Sequence, residues 1–193
     1  MADPGLVRRR LELHARMVET LAEGEAVEQL RGVATAIAGC YRGGGKVILF
    51  GNGGSAADAQ HIAGEFTGRM LVDRPPLPAV ALADNAAGFS AIGNDYGYVE
   101  VFARQIRAFG RAGDVAIGLS TSGGSANVLA GMRVARDLDL VTVGITGLHG
   151  HRLAELSDHA VQIPAEDTPV IQEGTMLALH TICVLVDDEL FGE

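Results

Sequence analysis

The sequence predicts an α/β protein: a three-layer, doubly wound parallel sheet of five strands, with a helical segment at the N-terminus. Five short and almost wholly apolar runs alternate with longer stretches of helical spacing. Strands that are apolar at every position are buried on both faces, as in a parallel sheet covered by helices. Such sheets have right-handed crossovers, and their ligands bind beyond the carboxyl ends of the strands. We therefore expect the functional site in the strand-to-helix loops.

The elements follow from the apolar pattern. Apolar side chains recur at helical spacing from about residue 6 to 40, and Gly24 divides them into two helices. The predicted strands are residues 47–50, 79–82, 115–119, 141–145 and 160–163. The other predicted helices are residues 55–68, 98–109, 125–138, 151–156 and 168–190. We see no linker, so we expect one domain over 1–193, with the helical segment at about 1–42 and the α/β core at about 43–193.

Composition and charge exclude several classes of protein. Apolar residues make up 48% and charged residues 20%, as in ordinary globular proteins. The sequence contains no run of 18 apolar residues that could span a bilayer, so we expect no membrane partner. The charged N-terminal start lacks the apolar core of a signal peptide, so we expect a cytoplasmic protein. The net charge of −9 leaves no basic field for nucleic acid. Cys40 and Cys183 have apolar neighbours and are expected to be core thiols, not a disulfide.

Two predicted strands end in loops that suit a phosphate group. The first strand leads into a helix through a glycine-rich turn, Gly51-Asn52-Gly53-Gly54-Ser55. The third leads into a helix through a hydroxyl-rich turn, Ser120-Thr121-Ser122-Gly123-Gly124-Ser125. Glycine lets the backbone approach an anion, and a helix N-terminus presents free N–H groups with partial positive charge. Either loop alone is also explained as a tight turn with a serine N-cap, but two of them in one small sheet favour ligand binding.

The first loop also matches the dinucleotide pattern GxGxxG/A, from Gly51 to Ala56. That pattern needs an acidic residue about 20 positions onward, at the end of the second strand, to hold the ribose. Here the acidic residue is Asp84, more than 30 positions onward. A hydroxyl-rich second loop also has no role in that scheme. We therefore expect no nucleotide cofactor, and no Walker A pattern is present.

Four side chains could carry acid–base or metal chemistry. His61 and Glu65 are four residues apart on one predicted helix, so they share a face. Gln172 and His180 are eight residues apart on the last helix, which is about 80° of rotation, so they can share a broad face. A His/Glu pair at this spacing is often only a surface hydrogen bond, and a single helical histidine is often a core residue. Because the glycine-rich loop precedes the helix of His61 and Glu65, a role in catalysis or metal binding stays open beside these structural explanations.

Taken together, four segments resemble the sugar isomerase (SIS) domain, and within it the phosphoheptose isomerases, which are sedoheptulose 7-phosphate isomerases. The segments are GNGGSAADAQH followed by Glu65, AIGNDYG, STSGGSANV, and IQE followed by His180. The resemblance covers nearly the whole chain. It implies a flavodoxin-like fold and a homotetramer with sites at subunit interfaces. It also implies conversion of sedoheptulose 7-phosphate to D-glycero-D-manno-heptose 7-phosphate.

The resemblance also implies roles for individual residues. Glu65 and His180 match the acid–base pair of the family. The set that holds zinc in some members, one ion per subunit, corresponds to His61, Glu65, Gln172 and His180. The matching substrate-binding residues, Glu65 among them, are Asn52, Gly53, Gly54, Ser55, Asn94, Asp95, Ser120, Thr121, Ser122, Ser125 and Gln172.

The chain departs from the family pattern at three positions. Members usually carry Arg immediately before IQE, where this chain has Val170. Many carry His shortly after IQE, where it has Thr175, and SGNS is replaced by SGGS.

Other functions within the SIS group are open to a chain of this kind. The chief alternative is a non-enzymatic interaction protein, the bacterial replication-initiator-associating protein, which lacks equivalents of Glu65 and His180. This chain has both. An isomerase of another phosphosugar is a further alternative. A phosphosugar sensor is less favoured, because the chain lacks the DNA-binding helices that such a regulator needs.

Overall fold

Five parallel strands form the centre of the protein, in a computed structural model that describes residues 3–192. In chain order the strands are β1 (Val47–Gly51), β2 (Ala79–Ala81), β3 (Val115–Ser120), β4 (Val141–Gly147) and β5 (His159–Ile163). Their order in the sheet is β2-β1-β3-β4-β5, which is the flavodoxin-like order. The predicted fold class is therefore confirmed.

Helices precede, connect and follow these strands. They are α1 (Pro4–Leu21), α2 (Glu25–Arg42), α3 (Gly54–Thr67), α4 (Ala86–Tyr96), α5 (Val101–Phe109), α6 (Ala126–Asp137), α7 (His151–Glu155) and α8 (Thr168–Phe191). The predicted break at Gly24 is confirmed, because Gly24 separates α1 from α2 with φ +66°. The predicted helix at 98–109 begins with a 3-10 turn, Tyr98–Glu100, before α5.

The sequence pattern gave no sign of α4. None of its residues is fully buried, and the apolar stripe that packs against the core of α5, α6 and α7 consists of Phe89 and Ile92, which is too short to predict a helix. Gly88 and Gly93 weaken its helical propensity further. The helix begins at a side-chain cap instead, since Asn85 Oδ1 accepts a hydrogen bond from the Gly88 N–H at 2.9 Å.

The sheet lies between two layers of helices. Along β1, Val47 and Leu49 contribute to the core shared with α1, α2, α3 and α8. Ile48 and Phe50 point the other way, into the core shared with α5, α6 and α7. The alternation explains why β1 is apolar at every position: each residue faces one of two buried layers.

Two further features of the core bear on the predictions. Cys40 and Cys183 are buried and free, as expected. By length and composition alone α8 is apolar enough to cross a membrane. Half of its apolar stretch is buried inside the fold, where Ile171, Leu179 and Ile182 belong to the core shared with α1, α2 and α3. Packing inside the fold accounts for the apolar character of this half of α8, whereas Leu177 and Val184 are exposed.

The loops after β3 and β4 are packed together. The Gly147 N–H donates to the Thr121 carbonyl at 3.0 Å. Gly123 has φ +62°, and a Cβ at this position would lie 2.6 Å from the Gly150 carbonyl oxygen. The hydroxyl-rich loop therefore requires glycine at position 123 for two reasons, a left-handed backbone and lack of space.

We predict that Gly123→Ala destabilises the fold markedly. Backbone strain should cost about 1–3 kcal/mol, and the overlap with Gly150 about 1–3 kcal/mol more. Urea denaturation measures the sum. Gly113→Ala is the matched control, since Gly113 also has a positive φ, +87°, but open space around it. Equal losses in the two variants would show that the packing of the two loops contributes nothing.

Candidate active site

The glycine-rich loop joins the end of β1 to the start of α3. A Cβ on Gly51 would lie 2.7 Å from Ser55 Cβ, so the loop closes tightly on the first turn of the helix. Ser55 is buried, and its N–H donates to the Asn52 carbonyl at 3.0 Å. Gly53 precedes the helix with φ +56° and offers no side-chain cap. The helix N-terminus therefore faces outward with no side-chain acceptor of its own, which suits an anion.

The hydroxyl-rich loop lies beside it in the sheet, because Gly51 pairs with Leu119 in the neighbouring strand. Ser120 Oγ and Ser125 Oγ are 3.1 Å apart. Ser122 Oγ accepts a hydrogen bond from the Gly124 N–H at 3.2 Å. Ser125 immediately precedes α6 but makes no capping bond to it. The hydroxyls are thus not used as N-caps, contrary to the alternative that explained each loop as a capped turn.

An amide network that the sequence did not predict connects the two loops. Asn52 Nδ2 donates to Asn127 Oδ1 at 2.9 Å, and Asn127 Nδ2 donates to Asn52 Oδ1 at 2.8 Å. The Tyr98 hydroxyl also donates to Asn52 Oδ1, at 2.9 Å. Asn52 Oδ1 therefore accepts two hydrogen bonds, and within residues 3–192 one N–H of the Asn52 amide has no partner and is available to a ligand. Asn127 lies within the STSGGSANV segment, but nothing in its spacing indicated a contact with Asn52.

Three of the four predicted acid–base or metal-binding residues meet in one cluster. His61 Nε2 is 3.1 Å from Glu65 Oε1, and His180 Nε2 is 3.2 Å from His61 Nε2. The three ligand atoms all lie within 4.8 Å of one another. The helical spacing of His61 and Glu65 on α3 brings those two together, whereas His180 comes from α8. The cluster offers two imidazole nitrogens and a carboxylate, which is a donor set that zinc uses.

Asp58 lies one turn before His61 on α3 and was not predicted as part of the site. Burial raises the pKa of its carboxyl, and the nearby His61 opposes that shift. Among the residues that the structure describes, Asp58 Oδ2 has no hydrogen-bond partner although it is buried.

Gln172 lies against the glycine-rich loop. A Cβ on Gly54 would overlap the side-chain amide of Gln172, so α3 and α8 approach each other as closely as a glycine allows. Asn94 and Asp95 lie at the end of α4, where Asn94 Nδ2 donates to Asp95 Oδ1 at 2.8 Å. Both are exposed, and within residues 3–192 neither bonds to another predicted site residue.

The departures from the family pattern on α8 face the protein interior. Val170 and Thr175 are both buried, and Val170 belongs to the core of the first layer. Neither side chain is therefore presented to solvent beside Gln172.

Comparisons with known proteins agree with this geometry. The SIS domain model matches residues 12–147. The chain is 50% identical to a phosphoheptose isomerase of Burkholderia pseudomallei over 177 residues, which is 92% of this chain and 90% of the relative. It is 45% identical over 171 residues to a phosphoheptose isomerase of Aneurinibacillus thermoaerophilus, covering 89% of this chain and 86% of the relative.

Solved structures show the same fold. A phosphoheptose isomerase from Francisella tularensis superposes with a TM-score of 0.90 at 32% identity, covering 97% of this chain and 100% of the other. A phosphoheptose isomerase from Neisseria gonorrhoeae gives a TM-score of 0.88 at 37% identity, covering 95% and 98%. The chain therefore belongs to the SIS-domain family and, within it, to the phosphoheptose isomerases.

Proposed function

We propose that this chain isomerises sedoheptulose 7-phosphate to D-glycero-D-manno-heptose 7-phosphate through an enediol. The observation that carries the proposal is the meeting of Glu65 and His180, from different helices, in one cluster with His61. The loops suited to phosphate lie on the same edge of the sheet, and the relatives named phosphoheptose isomerase support the class of reaction. A non-enzymatic interaction protein would need neither Glu65 nor His180.

The reaction requires two proton transfers. A proton leaves carbon 1 of the ketose, and a proton returns to carbon 2 to give the aldose. Glu65 is the proposed base, because a carboxylate can accept the carbon-bound proton and release it again. His180 is the proposed proton donor and acceptor at the adjacent oxygens. Because the two side chains reach the cluster from α3 and α8, they can address the substrate from two sides.

The two loops would hold the rest of the substrate. We assign the phosphate to the N-terminus of α6 and to five hydroxyl groups around it. These are the hydroxyls of Ser55 and, in the second loop, those of Ser120, Thr121, Ser122 and Ser125. The backbone at Gly53 and Gly54 lies open beside them. We assign the sugar hydroxyls to Asn52, Asp95 and Gln172, with Asn94 beside them. The one free N–H of the Asn52 amide makes Asn52 a hydrogen-bond donor to the sugar.

Zinc is the proposed cofactor, one ion per subunit. Two ligands at about 2.0–2.1 Å from a tetrahedral zinc ion lie about 3.3 Å apart. The 3.2 Å between the Nε2 atoms of His61 and His180, and the 3.1 Å between His61 Nε2 and Glu65 Oε1, fit that spacing. Gln172 is the proposed fourth ligand. When bound, zinc would polarise the sugar carbonyl as a Lewis acid.

We further propose a homotetramer in the cytoplasm, with sites at subunit interfaces. Several large apolar side chains of α1 and α8 are exposed, Leu11 most of all at 66%. A groove of about 340 Å³ between α1, α2 and α8 is lined by Val18, Val27 and Leu177 among others. Exposed apolar side chains gathered around one groove are typical of a contact between subunits. The buried, free thiols of Cys40 and Cys183 are compatible with a reducing compartment.

We predict that Glu65→Gln lowers kcat by about 10²–10⁴-fold and leaves KM nearly unchanged. The amide keeps the shape of the side chain but cannot accept the carbon-bound proton, so the loss falls on the chemical step. His180→Gln should act similarly, and the double variant should lose much less than the product of the two losses. A coupled or NMR isomerase assay measures all three. Glu155→Gln, on the exposed side of α7, is the matched control. Near-normal turnover in Glu65→Gln would overturn the mechanism.

We predict that light scattering at micromolar concentration gives a mass four times that of one chain. Leu11→Glu should lower that mass, because a charge on the exposed face of α1 disfavours an apolar contact. Glu12→Gln, at the next position, is the control and should leave the mass unchanged. A monomeric wild-type protein would remove the proposal of a homotetramer.

A further inference from the structure

A buried ion pair lies between α3 and α8, below the cluster of His61, Glu65 and His180. Arg74 follows α3 in the chain, and its Nε donates to Asp187 Oδ1 at 2.7 Å. The side chains of Arg74 and Asp187 are only 1% and 4% exposed. Removing two charges from water carries a large free-energy cost, and apolar replacements of such pairs are often neutral or stabilising. Stability alone therefore does not account for this pair.

The other nitrogens of Arg74 bind the end of α3. Nη2 donates to the Glu65 carbonyl at 3.0 Å, and Nη1 donates to the Phe66 carbonyl at 2.7 Å. Carbonyls in the last turn of a helix have no partner within the helix. The planar guanidinium can bind these carbonyls and a carboxylate at the same time, which a lysine ammonium cannot do in the same geometry. Arg74 thus fixes the backbone of Glu65 itself.

Asp187, the other member of the ion pair, lies on the same face of α8 as His180. Asp187 is two helical turns after His180 on α8, so the two side chains lie on one face of that helix. Cys183 lies between them, and burial raises the pKa of its thiol to about 12. Cys183 is itself only 2% exposed, so the face of α8 between His180 and Asp187 is packed inside the protein.

We propose that Arg74 and Asp187 are positioning residues that hold α3 against α8, so that Glu65 and His61 meet His180. The expected effect on kcat rests on the proposed function, whereas the expected effect on zinc affinity rests only on the cluster of His61, Glu65 and His180. Arg74 fixes the Glu65 backbone, Asp187 fixes the face of α8 that carries His180, and the ion pair sets the distance between the two helices. A purely stabilising pair would not affect the cluster.

Arg74→Lys tests the proposal, because lysine keeps the charge beside Asp187 but cannot also bind both carbonyls. Calorimetric titration of zinc into the metal-free, full-length protein is the first readout. The isomerase assay, read separately as kcat and KM, is the second. We expect affinity for zinc and kcat each to fall by about 10–100-fold, as for residues that support metal ligands. KM should change little. Asp187→Asn should give losses in the same direction, and it decides the question if Arg74→Lys does not fold.

Lys46→Met is the matched control. Lys46 pairs with Asp114, whose side chain is 3% exposed, at the opposite end of the sheet. Asp114 keeps hydrogen bonds from the N–H groups of Lys46 and Arg111, at 3.0 and 2.9 Å. This control should lower stability while leaving affinity for zinc and kcat unchanged.

The outcomes separate this inference from the proposed function. Folded Arg74→Lys with wild-type affinity for zinc and wild-type kcat overturns the positioning role. Wild-type protein that binds zinc but isomerises nothing overturns the proposed function, and the zinc titration still decides the positioning role. If the wild type isomerises without binding zinc, the kcat of Arg74→Lys decides the positioning role. A wild-type protein that neither binds zinc nor isomerises the substrate overturns both the positioning role and the proposed function.

Discussion

The close contact between α3 and α8 is the constraint on which the site depends. At one end, Gly54 has no Cβ, and the amide of Gln172 occupies the space that a side chain would take. At the other end, Arg74 connects the carbonyls of the last turn of α3 to Asp187 on α8. Between these two contacts the helices are close enough for Glu65 to share a cluster with a histidine of α8. Separation at either end would divide the cluster.

The sheet supplies the second requirement, which is a common edge for the loops. Parallel strands all end at one side, so the turns after β1 and β3 lie together. Gly123 and Gly150 then pack the loops after β3 and β4 against each other. The amides of Asn52 and Asn127 connect the first two loops by a pair of reciprocal hydrogen bonds. The hydroxyl-rich loop is consequently packed against one neighbouring loop and connected by hydrogen bonds to the other.

The apolar pattern and residue spacing of the sequence predicted the strands and the contact of His61 with Glu65, because both depend on neighbouring residues in the chain. Wholly apolar runs identified the strands, because a strand buried on both faces leaves that mark in the sequence. Spacing placed His61 beside Glu65, but only the family resemblance grouped His180 with them, since contacts between distant helices leave no period in the sequence. The hydrogen bond of Tyr98 to Asn52 was missed for the same reason, whereas α4 was missed because its apolar stripe is only two residues long. The roles of Arg74 and Asp187 likewise follow from a contact across 113 residues of chain.

Isomerisation in D₂O is the most direct test of proton transfer at Glu65. A proton held on a carboxyl exchanges with solvent, so proton transfer through Glu65 brings deuterium to carbon 2 of the aldose. NMR of the product of sedoheptulose 7-phosphate would show it. We expect measurable deuterium at carbon 2 in the wild-type reaction. A product that carries only protium at carbon 2 would indicate direct hydride transfer and contradict proton transfer through Glu65, as would a lack of any conversion.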